Sequence, residues 1–182
     1  VGSEMCIRDR LPGIAGTYGK AGWGGRGANG KNGWSARGGF RRSAVERDGS
    51  LRIPLTSYVY YPDSGNNPYG VHFSWGTAQR GVLLAERWYC VEQELKLNTP
   101  GKKDGYLNVW IDGRPALQKR GLRFRDTDKL KIEKIWLNVY HGGTTPAPAG
   151  LNMLIDNIVV ADRYIGPAEF SHLPKDWWNR LK

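Results

Sequence analysis

The feature that most restricts what this chain can fold into is a hydropathy period of two. It recurs from residue 34 onward and is broken at short intervals by clusters of turn-forming residues. Trp34, Ala36 and Phe40 fall on one side of a strand, with Ser35 and Arg37 on the other. Between Leu51 and Tyr60 the residues Leu51, Ile53, Leu55 and Val59 share one side, and Arg52, Thr56, Tyr58 and Tyr60 the opposite one. Successive side chains on a strand point to opposite faces, so each segment has an apolar face to bury and a polar one to present. Pro54 lacks an N–H and predicts an edge or a bulge at the start of that strand.

Further strands are predicted at Val71 to Trp75, Arg87 to Leu97, Tyr106 to Ile111, Lys131 to Tyr140 and Leu151 to Val160. Turns fall at Pro62 to Pro68, Asn98 to Gly105, Asp112-Gly113 and Gly142 to Gly150. Strands this short, with turns this frequent and no intervening helical pattern, exclude a βαβ architecture and predict an all-β sandwich. Gly13 to Gly39 is dense in glycine, and its first part is expected to be a long irregular connection at a sandwich edge. Residues Pro167 to Lys182 could form a short helix with Trp177 and Trp178 as its packing residues.

The 182 residues, 40% hydrophobic and with eight tryptophans, suffice for one core, and no apolar run is long enough to span a membrane as a helix. A formal charge of +10 attracts polyanions, which leaves nucleic acid, acidic glycan and anionic membrane open. A glycine-arginine RNA-binding segment is disfavoured because the glycine-rich stretch runs directly into strand-like alternation. Residues Val1 to Asp9 read like a translated sequencing adaptor, so the domain is expected to run from 10 to 168, with 169 to 182 as a tail and a native start upstream. On that reading Arg10 is a junction codon and Cys90 the one native cysteine, which can form no intramolecular disulfide.

His72, His141 and His172 show no metal-ligand spacing, and nucleophile-elbow, Walker and dinucleotide motifs are absent, so neither a metal nor a cofactor is expected. Glu92 and Glu94 alternate on one strand. A glycosidase needs two carboxylates facing each other across a cleft, and these lie side by side, so a solvated face bearing Glu92, Glu94 and Lys96 is favoured. Arg37, Tyr58 and Tyr60 all lie opposite the apolar face. β-Elimination of a uronate requires a cation on the carboxylate, a base for the C5 proton and an acid for O4. Arginine supplies a planar fork for the first, and tyrosine beside a cation can serve the others. Surface β-propensity is the alternative account of a Tyr-x-Tyr pair.

Several ordered segments carry a resemblance. They are Leu11-Pro12-Gly13-Ile14-Ala15-Gly16, Gly33-Trp34-Ser35-Ala36-Arg37, Tyr58-Val59-Tyr60, Glu92 to Gly101, Val109-Trp110-Ile111-Asp112-Gly113, Phe124-Arg125, His141-Gly142-Gly143 and Asp156-Asn157. Together they resemble the polysaccharide lyases of family 14. The resemblance implies a jelly-roll β-sandwich with a concave sheet that binds alginate, glucuronan or a related polyuronate. It implies Ser35, Arg37, Tyr58 and Tyr60 as catalytic residues, together with a lysine whose place is taken here by Arg10. His72, Lys96 and His141 complete the set as candidate substrate contacts, His141 equally fitting a turn at a strand end. The expected partner is an acidic polysaccharide, with no nucleic acid or membrane, and the expected form a secreted monomer. A non-catalytic carbohydrate-binding module and a glycoside hydrolase are the alternatives on the same fold.

Overall fold

The computed structural model describes residues 10–17, 21–41, 44–45, 47, 49, 51–65, 68–76, 82–84, 87–139, 141 and 153–167. Apart from Pro167, the predicted helix of the tail lies outside these residues, as do the segment 1–9 and the turn at 142–150. Among the described residues, ten strands form two antiparallel sheets packed as a sandwich: β1 (Arg10–Gly16), β2 (Trp34–Phe40), β3 (Ala44–Val45), β4 (Leu51–Tyr60), β5 (Val71–Ser74), β6 (Val82–Leu84), β7 (Val91–Lys96), β8 (Gly105–Ile111), β9 (Arg114–Leu122) and β10 (Lys134–Trp136). The first sheet runs β10-β1-β2-β4-β3, with β5 and β6 also on β4, and the second runs β7-β8-β9. No described helix is long and apolar enough to cross a membrane.

The long strand β4 organises the first sheet. Its second half pairs with β2 and β5, its first half with β3 and β6. Pro54 marks the exchange of partners, and its carbonyl accepts the Arg41 amide at 2.8 Å. Alternation along β2 and β4 does what the sequence predicts. Trp34, Ala36, Leu55 and Val59 are buried between the sheets. They pack against Leu107, Val109, Leu122 and Phe124 from the second sheet and the strand end beyond it. Trp75 also lies in this core and donates its indole N–H to Ser57 Oγ at 2.7 Å.

Three expectations are corrected. The glycine-rich stretch is not all connection, because Gly13 and Gly16 belong to β1, an interior strand between β10 and β2. A Cβ on Gly13 would collide with the Ala36 carbonyl and one on Gly16 with the Lys131 carbonyl, so these glycines serve close backbone approach. Strand β9 was not predicted. Two bulges opposite β8, one at Gly121 with φ +71, break its period, and its solvent face is heavily charged. The predicted strand over Leu151 to Val160 is unpaired in its described part, where Asn157 has φ 51 and Leu154, Val159 and Val160 are exposed.

Candidate functional site

Residues directly opposite one another in neighbouring strands share a face, so the registers of the first sheet can be read as rows across it. The central row on the face away from the core is Trp136, Gly13, Arg37, Tyr58 and His72, one residue from each of five strands. On one side of it runs Lys134, Ala15, Ser35 and Tyr60. On the other runs Arg10, Gly39, Thr56 and Ser74. All five predicted catalytic positions, Arg10, Ser35, Arg37, Tyr58 and Tyr60, are thereby gathered with His72 on one patch.

A bulge places Arg10 there. Leu11 and Pro12 of β1 stand opposite the single residue Gly38 of β2, which returns Arg10 to the face of Arg37 and turns Leu11 into the core. Proline has no N–H to lose at such a point, and a Cβ on Gly38 would lie 2.7 Å from that of Leu11.

The electrostatics centre on Arg37, which is 3% exposed. Its guanidinium lies 5.0 Å from the Trp136 ring centroid and 5.9 Å from that of Tyr60. Among the described residues no carboxylate pairs with it, and its Nε has no hydrogen-bond partner. A buried cation without a counter-ion is costly, so this arrangement suits an anion supplied from outside. Arg10 stacks on Tyr58, its guanidinium carbon 3.8 Å from the ring centroid.

The two phenols meet at their oxygens. Tyr58 Oη and Tyr60 Oη are 3.2 Å apart, with the rings edge to face, and the Gly70 amide donates to Tyr58 Oη at 3.1 Å. Burial, then the bond to Tyr58, push Tyr60 well above the ordinary phenol range, with the Gly70 amide and Arg37 pulling weakly the other way. The His72 ring lies 4.5 Å from that of Tyr58, with Nδ1 3.0 Å from Thr56 Oγ1. Ser35 donates to the Gly22 carbonyl at 2.5 Å.

This face is neither bare solvent nor a wide-open trough. Arg10, Ser35, Tyr58 and Tyr60 are all buried, with the connection at Gly22 crossing Ser35 and the chain at Gly70 crossing the tyrosines. The row reaches solvent at its ends, where His72 is exposed and Trp136 half-buried.

Two predicted contacts are not brought to the patch by any of these registers. Lys96 lies on β7 in the other sheet, opposite Tyr106, at an exposed position on its outer face. His141 is half-buried and comes five residues after the end of β10. Conversely, Trp136, Thr56 and Gly70 were not singled out from the sequence. Thr56 shares the parity of Tyr58 and could have been; Trp136 meets Arg37 across about a hundred residues, for which local pattern carries no signal. Among the described residues, no three His, Cys, Asp or Glu side chains cluster as a metal would need.

Comparison with known proteins gives a family and a fold. The sequence model described as polysaccharide lyase 14 matches residues 9–150. Among solved structures, alginate lyase Aly36B superposes with a TM-score of 0.57 at 22% identity, over 78% of this chain and 57% of that one. Double mutants of the same lyase, in complex with alginate trisaccharide and with alginate tetrasaccharide, superpose with TM-scores of 0.58 and 0.56 at 22% and 21% identity. They are covered over 76% and 78% of this chain and 55% and 57% of theirs, so the chain spans little more than half the length of these lyases. A search of curated proteins returned no match.

Proposed function

The chain belongs to the polysaccharide lyase 14 family, and from that premise we propose that it cleaves an acidic polysaccharide of the alginate or glucuronan type by β-elimination. The observation that carries this reading is Arg37, a buried guanidinium with no anion among the described residues, set beside a hydrogen-bonded tyrosine pair. A uronate carboxylate against that fork loses its charge repulsion toward a C5 carbanion, which makes the C5 proton removable. One tyrosine, having first lost its own proton to solvent, takes the C5 proton as phenolate and the other phenol protonates O4, the C4–O4 bond breaks, and a C4=C5 double bond remains on the new non-reducing end. Ser35 holds the connection at Gly22 over the site, and His72 meets the sugar at the exposed end of the row.

Arg10 stands where the family resemblance places a lysine. A guanidinium keeps its proton at any working pH, whereas an ammonium can shed one, so Arg10→Lys is expected to raise turnover. A substrate too large to enter cells places the reaction outside the cell, with the protein acting as a monomer on glycan rather than on nucleic acid or membrane. The test is the ultraviolet absorbance of unsaturated uronate ends released from alginate and from glucuronan. Release by the parent chain or by Arg10→Lys, abolished by Tyr60→Phe, supports the lyase. Binding without product in both forms selects a non-catalytic binding module, and reducing ends without the chromophore select a hydrolase.

A further inference from the structure

Gly70 enters β5 one residue before Val71, with its backbone pressed into the tyrosine pair. A Cβ there would lie 2.8 Å from the Val59 carbonyl oxygen and 3.0 Å from two carbons of the Tyr60 ring, so only glycine lets the chain come this close. What the approach accomplishes is one hydrogen bond, from the Gly70 N–H to Tyr58 Oη.

That bond makes the two phenols unequal. A negative charge on Tyr58 Oη would be met by two donors, the Gly70 N–H and the Tyr60 hydroxyl, with the Arg10 guanidinium against the same ring. A charge on Tyr60 Oη would have the Tyr58 hydroxyl as its close donor, while the Gly70 amide, bonded to Tyr58 Oη, favours a Tyr60 anion only weakly against the burial that opposes it. Preorganised donors favour charge where they already point. The other groups facing Tyr58 are Arg37 across from β2 and His72 across from β5, whose ring lies against that of Tyr58.

We propose that the Gly70 peptide N–H is a positioning group of this site, selecting Tyr58 as the tyrosine that surrenders its proton and takes the one from C5, with Tyr60 as the donor to O4. The inference rests on the lyase reading. It also closes the proton cycle: the C5 proton goes to Tyr58, the Tyr60 proton goes to O4, and a transfer across the 3.2 Å bond from Tyr58 to Tyr60 restores the starting pair.

The test replaces the amide N–H alone, by an amide-to-ester exchange at position 70 (Gly70→glycolate), alongside Gly70→Ala, which retains the N–H but adds the clashing methyl. Tyrosinate ultraviolet absorbance is followed against pH, and kcat and KM are measured on a polyuronate across the same range. In the ester the first phenol to ionise does so at higher pH than in the parent. Turnover falls about 10- to 100-fold at neutral pH with KM within about twofold, and the loss shrinks as pH rises. Gly70→Ala gives an intermediate shift, or fails to fold without affecting the ester result. An unmoved phenolate titration in a folded ester overturns the proposal whether or not the chain is active. A moved titration in a chain that makes no unsaturated product leaves this assignment standing and removes the lyase reading instead.

Discussion

Two sheet faces of this molecule carry charged and aromatic side chains at alternate positions, and they are electrostatic opposites. On the outer face of the three-stranded sheet every acid is answered. Glu94 accepts from Tyr106 Oη at 2.8 Å and Asn108 Nδ2 at 2.7 Å, and Glu92 accepts the amides of Ile165 and Gly166. Arg120 lies over the Tyr106 ring, and Tyr164 packs on Trp110. On the seven-stranded sheet Arg37 is buried with aromatic rings on two sides and no anion among the described residues. The carboxylates of that face are already hydrogen-bonded, although Asn108 Oδ1 beside them has no partner, whereas a buried cation held between rings keeps its attraction for an anion. The same residue classes at the same spacing thus serve structure in one sheet and, in our reading, chemistry in the other.

The comparison breaks most visibly at Arg37. Arg37→Ala is expected to lower kcat/KM on a polyuronate by about 10³-fold, the scale of losing a desolvated charge partner, measured by release of unsaturated ends. Stability moves the other way. Arg37→Met, which fills the space without the unpaired charge, should raise unfolding free energy by roughly 1–3 kcal/mol in urea titration, and a lowered midpoint would mean that the guanidinium has a counter-ion after all.

Asp63 provides a paired acid for contrast, bridged to Arg123 at 2.7 Å and Lys103 at 3.0 Å. Burial alone would raise its carboxyl, but the bonds from Lys103 and Arg123 outweigh that and hold it below the ordinary carboxylate value. Its stabilisation is therefore complete above that ordinary value and fades as pH falls through the lower folded one. Parent and Asp63→Asn should differ in urea midpoint at neutral pH and converge in acid. The smallest effects belong to the outer face. Glu94→Gln should cost about 1 kcal/mol or less and change kcat/KM by less than about twofold, and Lys96→Ala should change neither measurably. A large activity loss in either would put substrate on that sheet.

Much of this was legible in the chain. The period of two from Leu55 to Tyr60 separates a core face from the face of Tyr58 and Tyr60, and the positive φ of Asp112 and Gly113 is what that dipeptide predicts for a tight hairpin turn. Alternation failed where the local period is interrupted for tertiary reasons, as in β9 with its two bulges and β1 with glycines that read as loop. It also could not rank two faces of equal spacing, so Lys96 and Arg37 both looked like candidates although they stand on different sheets.

By itself, the sequence determined which residues can share a face, because the alternation of Cβ atoms along a strand is a local property of the backbone. Only the tertiary structure decided which faces meet. The bulge that admits Arg10, the register that sets Trp136 in the row of Arg37 and the approach of Gly70 to Tyr58 join segments distant in sequence. Their alignment is set by how the core packs across strands, and no single segment contains that information.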